Sequence, residues 1–427
     1  MVVGFDLTWM NIENRHGGVF QYALRLVSAL VKHTDVHVVS IISRSGQGVF
    51  ESLKVNENFR EVFLEPSCSL LDIIKVYKIN VVHTPVQSFQ NLTFAVPMIS
   101  TLHDLQPFHL PEFFSKEEIE LRNFYYRLSA EFAERVIVSF HHVKEDIIKF
   151  YGIPSEKIDV CPLGAIDVNP VKVEKFSSIC KKYGIPEKYL FYSANTWRHK
   201  NHLNLIRALK ILHEKYGRKI SLICTGQKYP DFFPVLEAEI EKLNLQDFVK
   251  FTGYIPEEDV RLLLKNTELA IIPTLYEAGS FPLMEAMAYE VPVICSNVTS
   301  LPETIGDTRF LFDPNDAEQI AEKAALLIKD EKLREANKKN SKERRLGNTW
   351  EKTVNYFLDS YIKAIEEFKN VDVKKMKNSM EKFELLSNKL NQQNKEYNNA
   401  LLNSMSWKIT APLRTFSTFF GTKFKKP

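Results

Sequence analysis

Residues 269–290 read LAIIPTLYEAGSFPLMEAMAYE and carry the pattern that decides the fold. A short apolar run ends at Pro273, a turn containing Gly279 and Ser280 follows, and Pro282 opens a stretch rich in helix-forming residues. A buried strand followed by a turn and a helix is the repeating unit of sheets built from parallel strands. The stretch therefore predicts one strand-turn-helix unit of an α/β protein.

The turn in this unit is suited to an anion. Backbone amides in the first turn of a helix have no partners inside the helix, and Pro282 is tolerated there because its missing N–H leaves no bond unmade. Gly279 and Ser280 allow the backbone to approach a ligand closely, so the amides and the helix dipole would together bind a phosphate group. The sequence thus predicts a phosphate site at the start of this helix.

Two glutamates, Glu277 and Glu285, flank the predicted phosphate site. Carboxylates repel a phosphate group, but they accept hydrogen bonds from neutral hydroxyl groups attached to it. A ribose diol suits Glu285 and a sugar ring suits Glu277, with a diphosphate between them. The pattern therefore favours a nucleoside diphosphate sugar.

Two other interpretations of the acidic pair stay open at this point. Glycoside hydrolases use paired carboxylates as acid and as nucleophile or base, although they need no phosphate-binding turn between them. Two solvated glutamates near a helix N-terminus would also be stabilised by the helix dipole. A second strand-to-helix turn in residues 192–209 contains Arg198, His199 and Lys200, and such cations neutralise a diphosphate leaving group. Two anion-binding turns in one domain favour the nucleotide-sugar interpretation.

The strand-and-helix rhythm divides the chain into two similar parts. Residues 1–167 predict a first Rossmann-like acceptor domain, 168–187 a linker, and 188–345 a second Rossmann-like domain that binds the nucleotide sugar. Residues 346–369 predict a helix that packs back across both domains, and 370–427 predict a helical basic tail. The fold class is therefore α/β, with two tandem doubly wound domains facing a cleft. Strand candidates are Val2–Phe5, Val36–Ile42, Val81–His83, Met98–Leu102, Val136–Ser139, Asp159–Pro162, Leu190–Ser193, Ile220–Thr225, Val249–Phe251, Leu269–Pro273 and Val291–Cys295.

Composition excludes several classes of protein. The chain has 427 residues, of which 44% are hydrophobic, so it is long enough for two cores and too apolar to be disordered. Its five cysteines are scattered without a Cys-x-x-Cys pair, which favours a reducing compartment over a disulfide framework or a zinc site. No apolar run is long enough for a membrane span or a signal peptide, so a cytoplasmic protein is expected.

The tail carries the positive charge of the protein. The net charge is +3, but residues 371–427 contribute +7. A mildly acidic body argues against nucleic-acid binding. From Met405 onward no acidic residue occurs, and an apolar aromatic stripe accompanies the basic residues, a pattern typical of a helix lying on an anionic membrane surface. Docking of this helix on a protein surface is the alternative, and an imperfect heptad pattern in residues 376–401 leaves self-association open.

At this point the residues resemble a known family, the retaining glycosyltransferases of family 4, which have the GT-B fold. The resemblance covers nearly all of residues 1–366 and is most specific in the Glu, seven residues, Glu arrangement. The segments that carry it are YEAGSFPLMEA (276–286), HGGVFQYALRLVSAL (16–30), STLHDLQPFHLPEFF (100–114), VSFHHVKEDIIKFYGIPSEKIDVCPLGA (138–165) and the whole of residues 251–303.

The resemblance implies a role for each matching residue. Glu285 would bind the ribose diol, Glu277 would face the donor sugar and phosphate, and Lys200 would bind the diphosphate. His103 would reach the sugar from the first domain. Further binding positions implied by the resemblance are backbone contacts at Gly279, Ser280 and Phe281, the nucleobase neighbour Tyr254, and the first glycine-rich loop with Gly17 and Gly18.

One departure from the family pattern concerns the phosphate-binding arginine. The family usually has this arginine shortly after the first strand of the second domain, where this sequence has Ala194 and Asn195. Arg198 is therefore the candidate that replaces the arginine. No Asp-x-Asp motif occurs, and the resemblance implies a metal-independent enzyme without a cofactor. A hydrolase or phosphorylase on the same scaffold and a catalytically silent assembly protein remain alternatives.

The resemblance also implies the partners. The tail segment SMSWKITAPLR (404–414) is similar to segments at the ends of bacterial enzymes that build surface polysaccharides. A lipid-linked oligosaccharide or growing glycan is therefore the expected acceptor, at the cytoplasmic face of the inner membrane. GDP-mannose is the first expected donor and a UDP-sugar the next.

Overall fold

A seven-stranded parallel sheet forms the centre of the first domain in the computed structural model, which describes residues 1–14, 17–65, 67–168 and 175–369 together with residues 381 and 385. The strand order is β3-β2-β1-β4-β5-β6-β7, so the order reverses between β1 and β4. Ligands of such sheets bind beyond the carboxyl ends of the strands at this reversal. The strands are β1 Val2–Leu7, β2 His37–Ile42, β3 Phe59–Phe63, β4 Val81–Thr84, β5 Met98–Thr101, β6 Arg135–Val138 and β7 Ile158–Val160.

A six-stranded parallel sheet forms the centre of the second domain, in the order β10-β9-β8-β11-β12-β13. Here the order reverses between β8 and β11, which are adjacent and parallel, with Leu269 opposite Leu190. The two predicted anion-binding turns follow these two strands, so the topology brings both turns to one end of the sheet. The strands are β8 Tyr189–Ser193, β9 Ser221–Thr225, β10 Val249–Phe251, β11 Leu269–Ile272, β12 Val293–Ser296 and β13 Leu311–Phe312.

Helices cover both sheets, and two of them begin with a complete capping box. Ser69 and Ser115 each accept a hydrogen bond from the third residue of the helix that follows, which satisfies an otherwise unpaired amide. The helices are α1 Gly18–Leu30, α2 Leu70–Tyr77, α3 Gln106–His109, α4 Lys116–Phe132, α5 His141–Asp146, α6 Phe176–Tyr183, α7 His202–Glu214, α8 Phe233–Lys242, α9 Glu257–Lys265, α10 Phe281–Ala288, α11 Leu301–Ile305, α12 Ala317–Lys329, α13 Glu331–Gly347 and α14 Trp350–Lys369. Within the ranges given above, none is long and apolar enough to cross a bilayer.

The prediction of two doubly wound domains is confirmed, while some elements differ from the sequence prediction. The pattern analysis missed β3, whose sequence FREVF interrupts its apolar residues with charges, and β13, which has only two residues. The interval predicted as a linker, 168–187, contains α6, and Ile179 of this helix is buried in the second core. That part of the interval therefore belongs to the second domain, while residues 169–174 lie outside the described residues, as does the predicted tail apart from residues 381 and 385.

The helix α14 packs on the first domain. Its buried apolar residues Val354, Phe357, Tyr361 and Ala364 all belong to the core of that domain, so the prediction that this helix packs across both domains is wrong in this respect. The hydroxyl of Tyr361 lies 2.8 Å from His83 Nδ1, inside the core. The element that follows the second domain thus completes the core of the first.

Candidate functional site

The signature turn, residues 276–281, lies against the first domain. Ser280 caps α10 by accepting a hydrogen bond from the Leu283 N–H at 3.4 Å. A Cβ atom on Gly279 would lie 2.9 Å from Leu163 and 3.2 Å from Phe140, so glycine allows the turn to approach these two side chains of the first domain closely. The ring of Phe281 lies 3.5 Å from the position of a Cβ on Gly18. Gly18, at the start of α1, therefore lies close to Phe281 of the signature turn.

An ion pair joins the two predicted anion-binding turns. Lys200 Nζ donates to Glu277 Oε1 at 2.7 Å, and only 7% of Glu277 is exposed. The backbone of the two turns is also connected, because the Leu275 N–H donates to the His199 carbonyl at 2.8 Å. A short hydrogen bond between two oppositely charged groups fixes the positions of both side chains. Glu277 and Lys200, predicted from separate motifs, thus form one unit.

The turn that carries Lys200 has a left-handed residue at its end. Asn201 adopts φ 59°, and its side-chain amide donates to the carbonyls of Pro273 and Pro314 at 2.8 Å each. Asparagine is among the few residues that adopt this conformation readily. The position of Lys200 is therefore fixed by the residue that follows it.

The first domain contributes the His-Asp segment to the same site. The Leu105 N–H donates to Tyr276 Oη at 3.3 Å, which places residues 103–105 beside the signature turn. His103 is 8% exposed, and its Nε2 lies 3.3 Å from the Pro85 carbonyl. Burial lowers the pKa of His103 to about 4, so the ring is neutral at physiological pH. Because a carbonyl only accepts, Nε2 carries the proton and Nδ1 is the acceptor.

Asp104 is a site residue that the sequence analysis missed. It precedes Leu105, while Glu277 follows Tyr276, so the two carboxylates flank the same interdomain hydrogen bond. Burial raises the pKa of the Asp104 carboxyl, and the Glu277 charge adds to this effect while Lys200 opposes it. The His-Asp segment itself was the available signal, but only its histidine was assigned a role.

Glu285 lies one helical turn into α10 and is partly buried. Burial raises the pKa of Glu285 to about 7, repulsion by Glu257 adds to the rise, and the guanidinium groups of Arg25 and Arg261 oppose it. Arg25 belongs to α1 of the first domain. Glu285 is thus a poorly solvated carboxyl group that a ligand with hydroxyl donors would stabilise in its ionised form.

Two of the predicted site residues, Arg198 and Tyr254, are exposed. The guanidinium of Arg198 lies over the Phe232 ring, 5.5 Å from its centroid. Tyr254 is 66% exposed at the end of β10. Asn195, one of the two positions on which the family arginine falls, accepts a hydrogen bond from the Gln227 N–H at 2.7 Å.

Two family models match the chain. The model described as Glycosyltransferase Family 4 matches residues 16–167, which include β2 to β7. The model described as Glycosyl transferases group 1 matches residues 176–344, which include the second sheet and both predicted anion-binding turns.

Three relatives of this chain are mannosyltransferases. The chain is 26% identical over 266 residues to the O-antigen chain mannosyltransferase B of Escherichia coli, covering 62% of this chain and 69% of that protein. It is 25% identical over 319 residues to the O-antigen chain mannosyltransferase RfbU of Salmonella typhimurium, covering 70% and 84%. It is also 24% identical to the serotype-specific mannosyltransferase WbdA of Escherichia coli, but spans only 34% of the length of that protein.

A solved structure shares the fold at low identity. The Anabaena protein Alr3699/HepE, in complex with UDP and glucose, superimposes with a TM-score of 0.63 at 17% identity and covers 85% of this chain and 99% of its own. This likeness agrees with the predicted GT-B fold. From the matches over both domains and the class of its relatives, the chain belongs to the family 4 glycosyltransferases, with a glycosyl transferases group 1 segment as its second half.

Proposed function

We propose that this glycosyltransferase moves a hexose, with mannose from GDP-mannose as the first candidate, to a lipid-linked or growing polysaccharide with retention of the anomeric configuration. The observation that carries the proposal is the buried Lys200–Glu277 ion pair, which lies in the turn that leads into α10, next to Tyr276, whose hydroxyl accepts a hydrogen bond from Leu105 of the His-Asp segment. The mannosyltransferase relatives support the choice of sugar, and the UDP held by Alr3699/HepE supports a nucleotide donor.

The proposed chemistry assigns one task to each group. The bond between the anomeric carbon and the diphosphate oxygen breaks, and Lys200 with the backbone N–H groups of residues 279–281 stabilises the charge that develops on the leaving diphosphate. The acceptor oxygen bonds to the anomeric carbon on the same face, and its proton passes to a diphosphate oxygen. Neutral His103 and the carboxylate of Glu277 orient the hydroxyl groups of the sugar. We expect the protein groups to compensate the charge of the leaving diphosphate without a metal ion.

A donor panel tests the proposed reaction. GDP-mannose is expected to raise the melting temperature more than GDP-glucose or UDP-sugars, and to support transfer to a lipid-linked acceptor in the presence of EDTA. Mass spectrometry of the glycan and NMR of the new anomeric centre measure sugar and configuration. Release of free sugar or sugar phosphate at the rate of transfer would indicate a hydrolase or phosphorylase, and the absence of any nucleotide-dependent shift would indicate an assembly protein. Activity lost on chelation and restored by Mn²⁺ would contradict the metal-independent chemistry.

Donor affinity should depend on pH through Glu285. The ionised carboxylate accepts both ribose hydroxyls, and its pKa of about 7 means that protonation competes with binding. The donor KM is therefore expected to rise about tenfold from pH 8 to pH 6. Glu285→Gln should bind the donor weakly with no such dependence. Glu257→Gln, which removes a repelling charge, should shift the midpoint of the profile to lower pH.

The raised pKa of Glu285 also predicts that this residue destabilises the folded protein at high pH. A carboxyl whose pKa is higher in the folded protein than in the unfolded chain binds more protons when folded, so its contribution to stability falls as pH rises from about 4.5 to about 7. Glu285→Gln should therefore unfold at a higher temperature than the wild type at pH 8, and at nearly the same temperature at pH 4.5. If the donor KM of Glu285→Gln still depended on pH in the same way, Glu285 would not be the group that binds the ribose.

We further propose that the basic tail holds the enzyme at an anionic membrane surface. The support comes from sequence, in the aromatic stripe and the lack of acidic residues after Met405. Truncation after residue 369 should abolish co-sedimentation with vesicles containing phosphatidylglycerol and leave transfer to a soluble acceptor unchanged. Full binding of the truncated protein would contradict the assignment.

A further inference from the structure

A row of four buried polar side chains connects α14 to α1 inside the first core, and we call it the His83 network. Tyr361 Oη of α14 lies 2.8 Å from Nδ1 of His83, which belongs to β4. Thr101 Oγ1, at the end of β5, lies 2.8 Å from His83 Nε2 and 3.3 Å from Tyr22 Oη of α1. All four residues are buried. The His83 network therefore joins two strands of the first sheet to two helices that cover it.

Every side-chain polar atom of the His83 network has a partner within the network. Burial lowers the pKa of His83 to about 3 and the nearby His103 adds to this effect, so the ring is neutral, with one donor and one acceptor nitrogen. The hydroxyl groups of Tyr361 and Thr101 can each donate or accept, so both ring nitrogens are satisfied in either tautomer. A buried polar network that is fully paired holds its side chains in one arrangement.

The His83 network ends beside His103, the residue that we assign to the donor sugar. The ring of Tyr22 meets the ring of His103 edge to face, with centroids 4.7 Å apart and planes at 86°. Thr101 lies two positions before His103, and His83 lies two positions before Pro85, whose carbonyl accepts from His103 Nε2 at 3.3 Å. The His103 ring is therefore held by groups that the His83 network itself contacts or closely precedes in sequence.

Packing alone does not account for polar side chains at this place. The rings of Phe5 and Phe357 lie 5.2 Å and 6.1 Å from the His83 ring, so the surroundings suit an apolar side chain. A buried imidazole requires partners for its nitrogens, whereas an apolar side chain requires none. The His83 network thus favours a need for fixed geometry over a need for core volume.

We propose that the His83 network positions the His103 imidazole for the donor sugar, with Tyr22 in contact with the ring and Tyr361 at the other end of the network. This inference rests on the proposed function, in which neutral His103 orients the hydroxyl groups of the sugar. The members of the network act through His103 and are positioning residues. The helix α14, which follows the second domain in the sequence, thereby supports a donor-site residue of the first domain.

The imidazole spectrum of His103 reports the position of this ring without any transfer reaction. In the full-length protein with isotope-labelled histidine, proton–nitrogen NMR is expected to show His103 as a single Nε2–H tautomer, and His103→Gln identifies its signals. Tyr22→Leu should replace this pattern with the averaged nitrogen shifts of a ring that exchanges between tautomers. Phe20→Leu, which truncates another buried ring on α1, should leave the pattern unchanged.

Steady-state kinetics measure what the position of His103 contributes to transfer. Tyr22→Leu should lower kcat by about tenfold to a hundredfold and change the donor KM less than about twofold, because misplacing an orienting group affects the transition state most. Tyr361→Phe removes only a hydroxyl group at the other end of the network and should lower kcat by about threefold to tenfold. Tyr356→Phe, the same substitution at an exposed position of α14, should leave kcat unchanged.

A double-variant cycle separates positioning from a general loss of stability. In the His103→Gln background, neither Tyr22→Leu nor Tyr361→Phe should lower kcat further, since residues that act through one group are not additive. Fully additive losses, or an unchanged His103 spectrum in Tyr22→Leu, would overturn the inference. Full activity of His103→Gln would instead contradict the role of His103 in the proposed function, and the spectrum would still show whether the network holds the ring. Should Tyr22→Leu fail to fold by circular dichroism, Tyr22→Phe, which removes only the bond to Thr101, replaces it with a smaller expected effect.

Discussion

Lys200→Ala is expected to lower kcat/KM for sugar transfer by about a hundredfold to a thousandfold. The ammonium group is 2.7 Å from Glu277, at the place where the leaving diphosphate is proposed to lie. Removing one preorganised donor that faces developing charge costs about 3–4 kcal/mol of transition-state stabilisation. Because the lost contact strengthens as the diphosphate departs, kcat should fall more than the donor KM rises. Steady-state kinetics with the nucleotide sugar measure both constants.

A double variant separates this catalytic effect from loss of stability. Lys200→Ala leaves the buried Glu277 carboxylate without a partner, which by itself destabilises the protein. Lys200→Ala/Glu277→Gln removes that unpaired charge, so it should recover the melting temperature but not the activity. Lys210→Ala, which removes a lysine paired with Glu214 along α7, is the control and should be fully active. Recovery of transfer in the double variant would show that the ion pair is only structural.

Phe357→Ala should destabilise the first domain by about 3–5 kcal/mol, the usual cost of truncating a fully buried phenylalanine. This side chain is 0% exposed and lies among the core residues of the first domain, although it belongs to the helix that follows the second domain. In a chemical denaturation monitored by circular dichroism, the first domain is expected to unfold at a lower denaturant concentration than in the wild type. The transition of the second domain should not change, because the second core contains no residue of α14.

Tyr356→Ala is the matched control for this prediction. Tyr356 precedes Phe357 on the same helix and is 52% exposed, so its truncation should change the free energy of unfolding by less than about 1 kcal/mol. Equal effects of the two substitutions would mean that α14 does not bury Phe357 in the first core. A shift of the second transition alone would place the helix on the other domain.

Local sequence was sufficient to predict the elements around the site. The apolar run before Pro273, the glycine and serine of the turn, and Pro282 are all local signals, and they predicted β11, the turn and α10. The turn that carries Lys200 was predicted in the same way. The parallel topology then explains why the two turns meet, since β8 and β11 are neighbours at the reversal of strand order.

Contacts between the domains could not be predicted from local patterns. Leu105 and Tyr276 are 171 positions apart, so neither segment contains a signal for the hydrogen bond that places Asp104 beside Glu277. The amphipathic pattern of residues 346–369 identified the apolar face of α14 but not the surface that this face covers. Arg198 was placed near the phosphate by its position in the turn, whereas its side chain extends toward Phe232.

The position of α14 has a consequence for biosynthesis. A ribosome completes every strand of the first sheet before it begins the second domain, yet Phe357 and Tyr361 are translated only after both sheets. Until then the nascent first domain exposes the apolar surface that these rings later cover. A premature stop codon before residue 350 would therefore yield a product with an open first core, and such a product is a substrate for chaperones and proteases although it contains the complete first sheet.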